Sequence, residues 1–265
     1  MQPDHLPNAF AGAIDRVRPR LGELASRVLF FHSIGSTNDV AASLAASGHE
    51  GAVVVADAQT AGRGRRGHTW FSPPASGLYV SVVLAPGRAR SAPDRAIAIT
   101  TLAAGVALAE AIERVAGLAP DIKWPNDLLV GRRKLSGILA EGVSREIVVL
   151  GYGINVGAAA FPPELADRVT SLESELGRPI DRAALLAETL ASLAERYRDL
   201  LDGRFDAILD DWRARAPSSR GATVAWETLA GPRRGVTAGI DERGALLVQV
   251  GDRLDRIVAG ELVWL

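Results

Sequence analysis

A chain of 265 residues, 48% hydrophobic and 23% charged, can bury a full core as one large domain or a large domain with a small companion. Its formal net charge of −1 leaves no global field to hold nucleic acid or an anionic membrane. The absence of cysteine excludes a disulfide framework, a thiolate nucleophile and a Cys-ligated metal. The opening residues Met1 to His5 lack the basic flank and apolar run of a signal peptide. Apolar stretches read as broken by charge before the ~20 residues that a membrane span needs, so a cytoplasmic protein is expected.

Along the chain, residues 9–26 read as an amphipathic helix interrupted at Pro19. Val28–Phe31 is a strand candidate. Ser36-Thr37-Asn38-Asp39 has N-cap chemistry, and Val40, Leu44 and Ala45 give a helix face that ends at Gly48. Ala52–Ala56 reads as a buried strand, Asp57 to Gly77 as a loop, and Leu78–Leu84 as a further strand. Pro93 to Val115 is a long Ala-rich helix expected to be mostly buried. Short strands follow over 121–124, 128–130, 134–141 and 146–156, with turn chemistry at Gly131-Arg132.

Leu186, Leu190, Leu193, Tyr197 and Leu200 recur at helical spacing, predicting a helix over 181–201 and a second over 205–215. Ala216-Pro217-Ser-Ser-Arg-Gly221 is the best domain boundary. It divides a main domain, 1–217 with a helical extension over 1–27, from an all-β unit over 218–265. That unit should hold strands at 223–229, 234–240, 246–250, 254–258 and 262–264. A barrel of this size needs to dock on the main domain.

The cations are distributed unevenly. Of 30, only Lys123 and Lys134 are lysines, and both fall in Lys123-Trp-Pro-Asn-Asp127-Leu-Leu-Val-Gly-Arg-Arg-Lys134-Leu-Ser-Gly137. Where Arg serves every ordinary surface position, a retained ammonium suggests a site that needs a compact charge rather than a wide planar fork. Trp124-Pro125 fixes an extended backbone. Asn126-Asp127 suits either ligation or a plain turn, and Lys123 suits either a ligand or a salt-bridged strand end. Strand alternation predicts Lys134 and Ser136 on one face, Leu135 and Gly137 on the other. Gly137 leaves room for a ligand.

A second concentration of chemistry is Gln59-Thr-Ala-Gly62-Arg63-Gly64-Arg65-Arg66-Gly67-His68-Thr-Trp70. Gly62 to Gly67 matches GxGxxG, but a dinucleotide site needs a helix directly after that run, and here Trp-Phe-Ser-Pro-Pro follows. The loop instead offers close backbone approach at its glycines, guanidinium grips for carboxylate or phosphate, and Trp70 as a cover for a ring system. It is expected to be mobile when empty and to order around an anion. A solvated loop or a nucleic-acid contact are the other readings; the neutral net charge weakens the latter. Gly151-Tyr-Gly153-Ile-Asn155 could let a ligand lie against a strand or could mark a bulge. The four histidines lack metal spacing, and neither a Gly-x-Ser-x-Gly elbow nor a P-loop is present.

Taken together, Ser36-Thr37-Asn38, the run from Gln59 to Trp70, Lys123-Trp-Pro-Asn-Asp127, Lys134-Leu-Ser-Gly137-Ile-Leu and Gly151-Tyr-Gly-Ile-Asn155 resemble the biotin–protein ligases. The resemblance spans about residues 28–160. It implies an α+β fold, a mixed β-sheet backed by helices of the class II synthetase-like, biotin–lipoyl ligase type, with a small C-terminal SH3-like β-barrel. It also implies a two-step reaction. Biotin and ATP, with Mg²⁺, give biotinyl-5′-AMP, and a lysine of the biotin carboxyl carrier protein then takes the biotin.

By the same resemblance Arg65 and Lys134 are catalytic. Biotin contacts fall to Ser36, Thr37, Asn38, Gln59, Arg63, Gly64, Arg65, Lys134 and Gly137. ATP or adenylate contacts fall to Arg66, His68, Trp70, Lys123, Asn126, Asp127 and Asn155, while the metal ligands stay unassigned. His68 stands where many bacterial relatives carry Arg, which leaves its phosphate role open. Only about 27 residues precede the first core strand, too few for a winged helix-turn-helix, so a ligase without DNA binding is expected, as monomer or homodimer. A lipoate–protein ligase or octanoyltransferase is the nearest alternative, and a nucleic-acid-binding module a distant one.

Overall fold

The computed structural model describes residues 2–158, 161–228, 231–260 and 262–265. Helix α1 (Asn8–Leu21) runs through Pro19 rather than breaking there. Pro19 lies in the last turn, and burial of Phe10, Ala13, Ile14 and Leu21 offsets the lost hydrogen bond. Strand β1 (Val28–Phe31) leads to α2 (Thr37–Ala46), then β2 (Val53–Ala56) and β3 (Gly77–Leu84). Helix α3 (Pro93–Ala116) precedes β4 (Asp121–Lys123), β5 (Asp127–Val130), β6 (Arg133–Gly142) and β7 (Val148–Asn155). Two short helices, α4 (Pro163–Ala166) and α5 (Leu172–Leu176), had no clear periodic signal and were not expected. Helices α6 (Arg182–Leu201) and α7 (Phe205–Ala214) complete this part.

The first seven strands form one sheet in the order β1-β2-β3-β7-β6-β5-β4. Only β1 and β2 are parallel; the other pairings are antiparallel. This is the expected mixed sheet. Alternation gives it two unlike faces. Val80, Val82, Leu150, Tyr152 and Ile154 point into a core shared with α1, α3, α6 and α7. Opposite them, α2 covers Val54, Ala56, Val83 and Val149, and the same face continues past α2 as Ser81, Gly151, Gly153 and Gly137. Helix α3 is long and apolar enough to cross a membrane, contrary to the expectation that charge breaks every such stretch. Its apolar surface is instead covered by the sheet and by α6, as for a core helix.

The C-terminal strands β8 (Arg220–Thr228), β9 (Gly231–Ile240), β10 (Leu246–Val250), β11 (Arg253–Ile257) and β12 (Val263–Trp264) form a second sheet in the order β11-β10-β9-β8-β12. It is antiparallel and consistent with an SH3-like unit; the expected strand end at Leu229 lies outside the described residues. Its Val224, Ile240, Leu246 and Val248 join the main core. Gly244 sits where a Cβ would meet Leu102 at 2.6 Å, and its carbonyl accepts from Trp124 Nε1 at 3.0 Å. The small sheet is therefore docked on α3 and on the segment that carries Lys123.

Candidate active site

The polar half of the sheet forms the floor of a cavity of about 720 Å³, walled by the Arg-Gly loop, the lysine segment, residues of 161–169 and the C-terminal Trp264. Strand β7 pairs with β3 and β6 in unbroken register, so Gly151 and Gly153 do not mark a bulge. They permit close approach. A Cβ on Gly153 would lie 2.3 Å from Trp70 Nε1, and one on Gly151 would lie 2.1 Å from Asn38 Oδ1. Two side chains of the protein therefore rest directly on the sheet.

The Arg-Gly segment has a defined backbone within the loop read from 57 to 77. It folds as a short hairpin, with Trp70 N–H donating to Gly62 O at 2.9 Å and Gly64 N–H to His68 O at 2.7 Å. Arg66 and Gly67 turn the chain at φ of 55° and 79°. Gly62 fits because a Cβ there would meet Trp70 O at 2.6 Å. Cross-strand hydrogen bonds thus supply the order that a glycine-rich sequence conceals.

The N-terminus of α2 also differs from expectation. Ser36 occupies the cap position but makes no side-chain capping bond. Gln59 does that work, its Oε1 accepting from Thr37 N–H at 2.9 Å and from Thr37 Oγ1 at 3.1 Å. Gln59 Nε2 then donates to Ser72 Oγ at 3.0 Å. Ser36, Thr37 and Asn38 are buried together at the cavity edge.

Lys134 and Gly137 share a face, which corrects the simple alternation. The β5–β6 register shifts between Leu128 and Leu129, so Leu128 faces Ser136 while Leu129 faces Lys134. Leu135 is the extra residue of the bulge and is buried in the core. Lys134 Nζ consequently lies 2.7 Å from Asp127 Oδ1, 5.4 Å from the Trp70 ring centroid, and 3.3 Å from where a Gly137 Cβ would be. The pair with Asp127 is electrostatic, since Oδ1 accepts no well-directed hydrogen bond among the described residues.

The arginines of the hairpin behave differently. Arg63 points back to the protein, with Nη2 at 2.7 Å from Asp39 Oδ1 and 3.2 Å from Glu141 Oε2. The hydrogen bond to Asp39 raises its pKa further, against desolvation and with help from Glu141. Arg65 lines the cavity and reaches Asn126 Oδ1 at 3.4 Å. Burial, with Arg66 beside it, lowers its pKa from the usual arginine value. Lys123 is lowered chiefly by burial, and its ammonium lies 5.4 Å from the Trp264 ring. Both groups are desolvated cations that an anionic ligand would relieve.

Arg66, His68, Asn126 and Asn155 also line the cavity, Asn155 donating to Thr170 O at 2.9 Å. Every residue assigned from sequence therefore reaches one region, although Arg63 faces two carboxylates there. Arg168, Phe161 and Trp264 line the cavity too and carried no local signal, and Arg132, read from sequence only as part of a turn, joins them. Glu141 could have been found by alternation with Gly137 on β6. Among the described residues no group of three His, Asp or Glu side chains is placed to hold a metal.

A glycine-floored cavity ringed by cations on a mixed sheet suits an anionic ligand, and similarity to known proteins says which class of protein carries it. Residues 30–157 match the Biotin/lipoate A/B protein ligase family. The chain is 37% identical over 248 residues to the bifunctional ligase/repressor BirA of Bacillus subtilis, covering 91% of this chain and 75% of that one. It is 34% identical over 269 residues to the biotin--[acetyl-CoA-carboxylase] ligase of Mycobacterium tuberculosis, covering 95% and 98%. The biotin protein ligase of Aquifex aeolicus, solved in complex with biotin and ATP, superposes with a TM-score of 0.78 at 28% identity, covering 90% and 98%. The chain belongs to the biotin/lipoate ligase family, within its biotin protein ligase branch.

Proposed function

We propose that the chain activates biotin with ATP and transfers it to a lysine of a biotin carboxyl carrier protein. The observation that carries the reading is the convergence of Arg65 and Lys134 on one cavity above the Gly137–Gly153 floor. A biotin carboxylate oxygen attacks the α-phosphorus of ATP, the bond to the β-phosphate oxygen breaks, and pyrophosphate leaves. Like charges must approach in that step, and fixed cations offset the repulsion and the charge growing on phosphorus. Lys134, held by Asp127, and Arg65, steadied by Asn126, supply them. The acceptor lysine amine then attacks the acyl carbon, loses its proton, and AMP departs.

Biotin contacts fall to Ser36, Thr37, Asn38, Gln59 and the Gly64 backbone, and nucleotide contacts to Arg66, His68, Trp70, Lys123, Asn126 and Asn155. Arg63, turned toward Asp39 and Glu141, serves biotin by anchoring the hairpin rather than by gripping the ligand. The nucleotide would bring Mg²⁺ with its phosphates. Magnesium is commonly held by one or two carboxylates plus substrate phosphates, and Asp127 and Asp167 are the carboxylates that line this cavity. The metal would supply charge neutralisation on the phosphates. A net charge of −1 gives no reason to expect DNA binding, and the reaction calls for a compartment that supplies ATP, the cytoplasm.

Biotin-dependent exchange of labelled pyrophosphate into ATP, followed by transfer to a carrier domain, tests the reading; exchange driven by lipoate and not by biotin would reverse it. Arg65→Ala is expected to form adenylate slowly and release it to solvent, because water must be kept from an acyl adenylate. Normal rate and normal retention in that variant would remove Arg65 from the reaction.

A further inference from the structure

The hairpin is tied to the sheet at one carboxylate that sequence reading did not single out. Glu141, near the end of β6, accepts from Asn38 Nδ2 at 2.5 Å and from Arg63 Nη2 at 3.2 Å. Arg63 Nη2 also meets Asp39, in the first turn of α2, at 2.7 Å. Asn38 Oδ1 lies 2.5 Å from Ser81 Oγ on β3, and the whole carboxamide rests on Gly151. A carboxamide is ambiguous by shape, since its oxygen and nitrogen occupy equivalent volumes. A carboxylate accepts only, so Glu141 requires the Asn38 nitrogen on its side and leaves the oxygen toward Ser81.

We infer that Glu141 is a positioning residue with two tasks: it fixes the orientation of Asn38 beside the biotin end of the cavity, and it anchors the Arg63 base of the hairpin that closes over the intermediate. The inference rests on the reading of the cavity as a biotin and ATP site. Glu141 touches neither ligand in that reading; it acts through Asn38 and Arg63. The two tasks differ in physical character. Orienting Asn38 needs an acceptor at a fixed point and involves a nearly buried partner. Holding Arg63 needs a negative charge, and that pair is partly exposed, with side-chain exposures of 35% and 40%. It is therefore open to screening by salt.

Substitution separates them. Glu141→Gln keeps an acceptor for Asn38 and discards the charge, whereas Glu141→Ala discards both. Pyrophosphate exchange by the unaltered protein, driven by biotin, is the first measurement; its absence refutes the ligase reading itself and is distinct from any failure of the variants. With exchange established, Glu141→Ala is expected to raise the biotin KM about tenfold, as loss of one charge-assisted hydrogen bond implies, while the ATP KM stays within about twofold. It is also expected to release biotinyl-5′-AMP into solution several-fold faster. Glu141→Gln should restore most of the biotin KM but not the retention. Retention by the unaltered protein should decline toward that of Glu141→Gln as salt rises from 0.05 to about 0.5 M.

Circular dichroism and melting curves check that both variants fold. A lowered Tm with biotin KM and adenylate retention unchanged makes Glu141 merely structural and overturns the inference. Equal loss of both properties in the two variants, with no response to salt, overturns the division of tasks.

Discussion

The two faces of the seven-stranded sheet are built from the same strands and do opposite things. On one face β7 contributes Leu150, Tyr152 and Ile154 to the core shared with the helices. On the other, the intervening Gly151 and Gly153 leave the backbone bare enough for Asn38 and Trp70 to lie on it. One face stabilises by removing apolar area from water, and the other gives up that gain to hold a cavity lined with cations. Stability and chemistry are separated by the two-residue period of a strand. A substitution one position along should therefore change which property fails.

The largest expected effect is at Lys134, on the cavity face. Lys134→Ala should lower kcat/KM for adenylate formation on the order of 10²–10³-fold, the scale for removing one preorganised stabiliser of developing charge. Lys134→Arg should recover little of it, because a wide planar fork does not reproduce a compact ammonium held 2.7 Å from Asp127 Oδ1 and 5.4 Å from the Trp70 ring centroid. Stopped-flow measurement of adenylate formation reads both, and near-normal rates in the Arg variant would show that a point charge is not required. Next comes the opposite face. Leu150→Ala should destabilise by about 2–5 kcal/mol through the cavity it leaves, with biotin and ATP KM unchanged in the folded fraction. A shift in either KM would mean that the faces are coupled.

A smaller effect is expected at Gly153. Gly153→Ala leaves no room for Trp70 where it rests and should raise the Kd for biotin or ATP on the order of tenfold. Calorimetry of ligand binding decides it; unchanged affinity would show that Trp70 has room to relocate without penalty. The mildest prediction appears only at alkaline pH. Burial pushes the Tyr79 phenol up to about 12, and raises Tyr152 and Tyr197 as well. A folded pKa above the unfolded one means stability is fully present below about pH 10 and declines as pH climbs through the folded value. Chemical denaturation in that range should show the decline, and Tyr79→Phe should shrink it.

Much of this was legible in the primary structure because the signals are local. Glycine and arginine crowding at 62–67, two lysines among 30 cations, and strand alternation around Gly151 and Gly153 need no tertiary knowledge to notice. The long buried helix, the mixed sheet and the late run of short strands follow from periodicity and turn residues. Local reasoning failed where a distant group supplied the deciding interaction. Gln59 caps α2 in place of Ser36, and a bulge at Leu135 turns Lys134 onto the face of Gly137. Cross-strand hydrogen bonds make a hairpin of a segment read from sequence only as a loop.

Residue types and their spacing marked where chemistry could sit, since a compact ammonium, an Arg-Gly run and side-chain-free positions are properties of the covalent chain, and the resemblance to a family said which chemistry to expect there. Only the folded molecule decided how those groups are aimed. Arg63 is turned onto Asp39 and Glu141 while Arg65 lines the cavity, although the two stand two positions apart. Trp264, the penultimate residue, is brought beside Lys123 by a sheet that starts at Arg220. The reason is physical: hydrogen-bond partners and desolvation depend on distances between segments remote in the chain, and no local pattern encodes those distances.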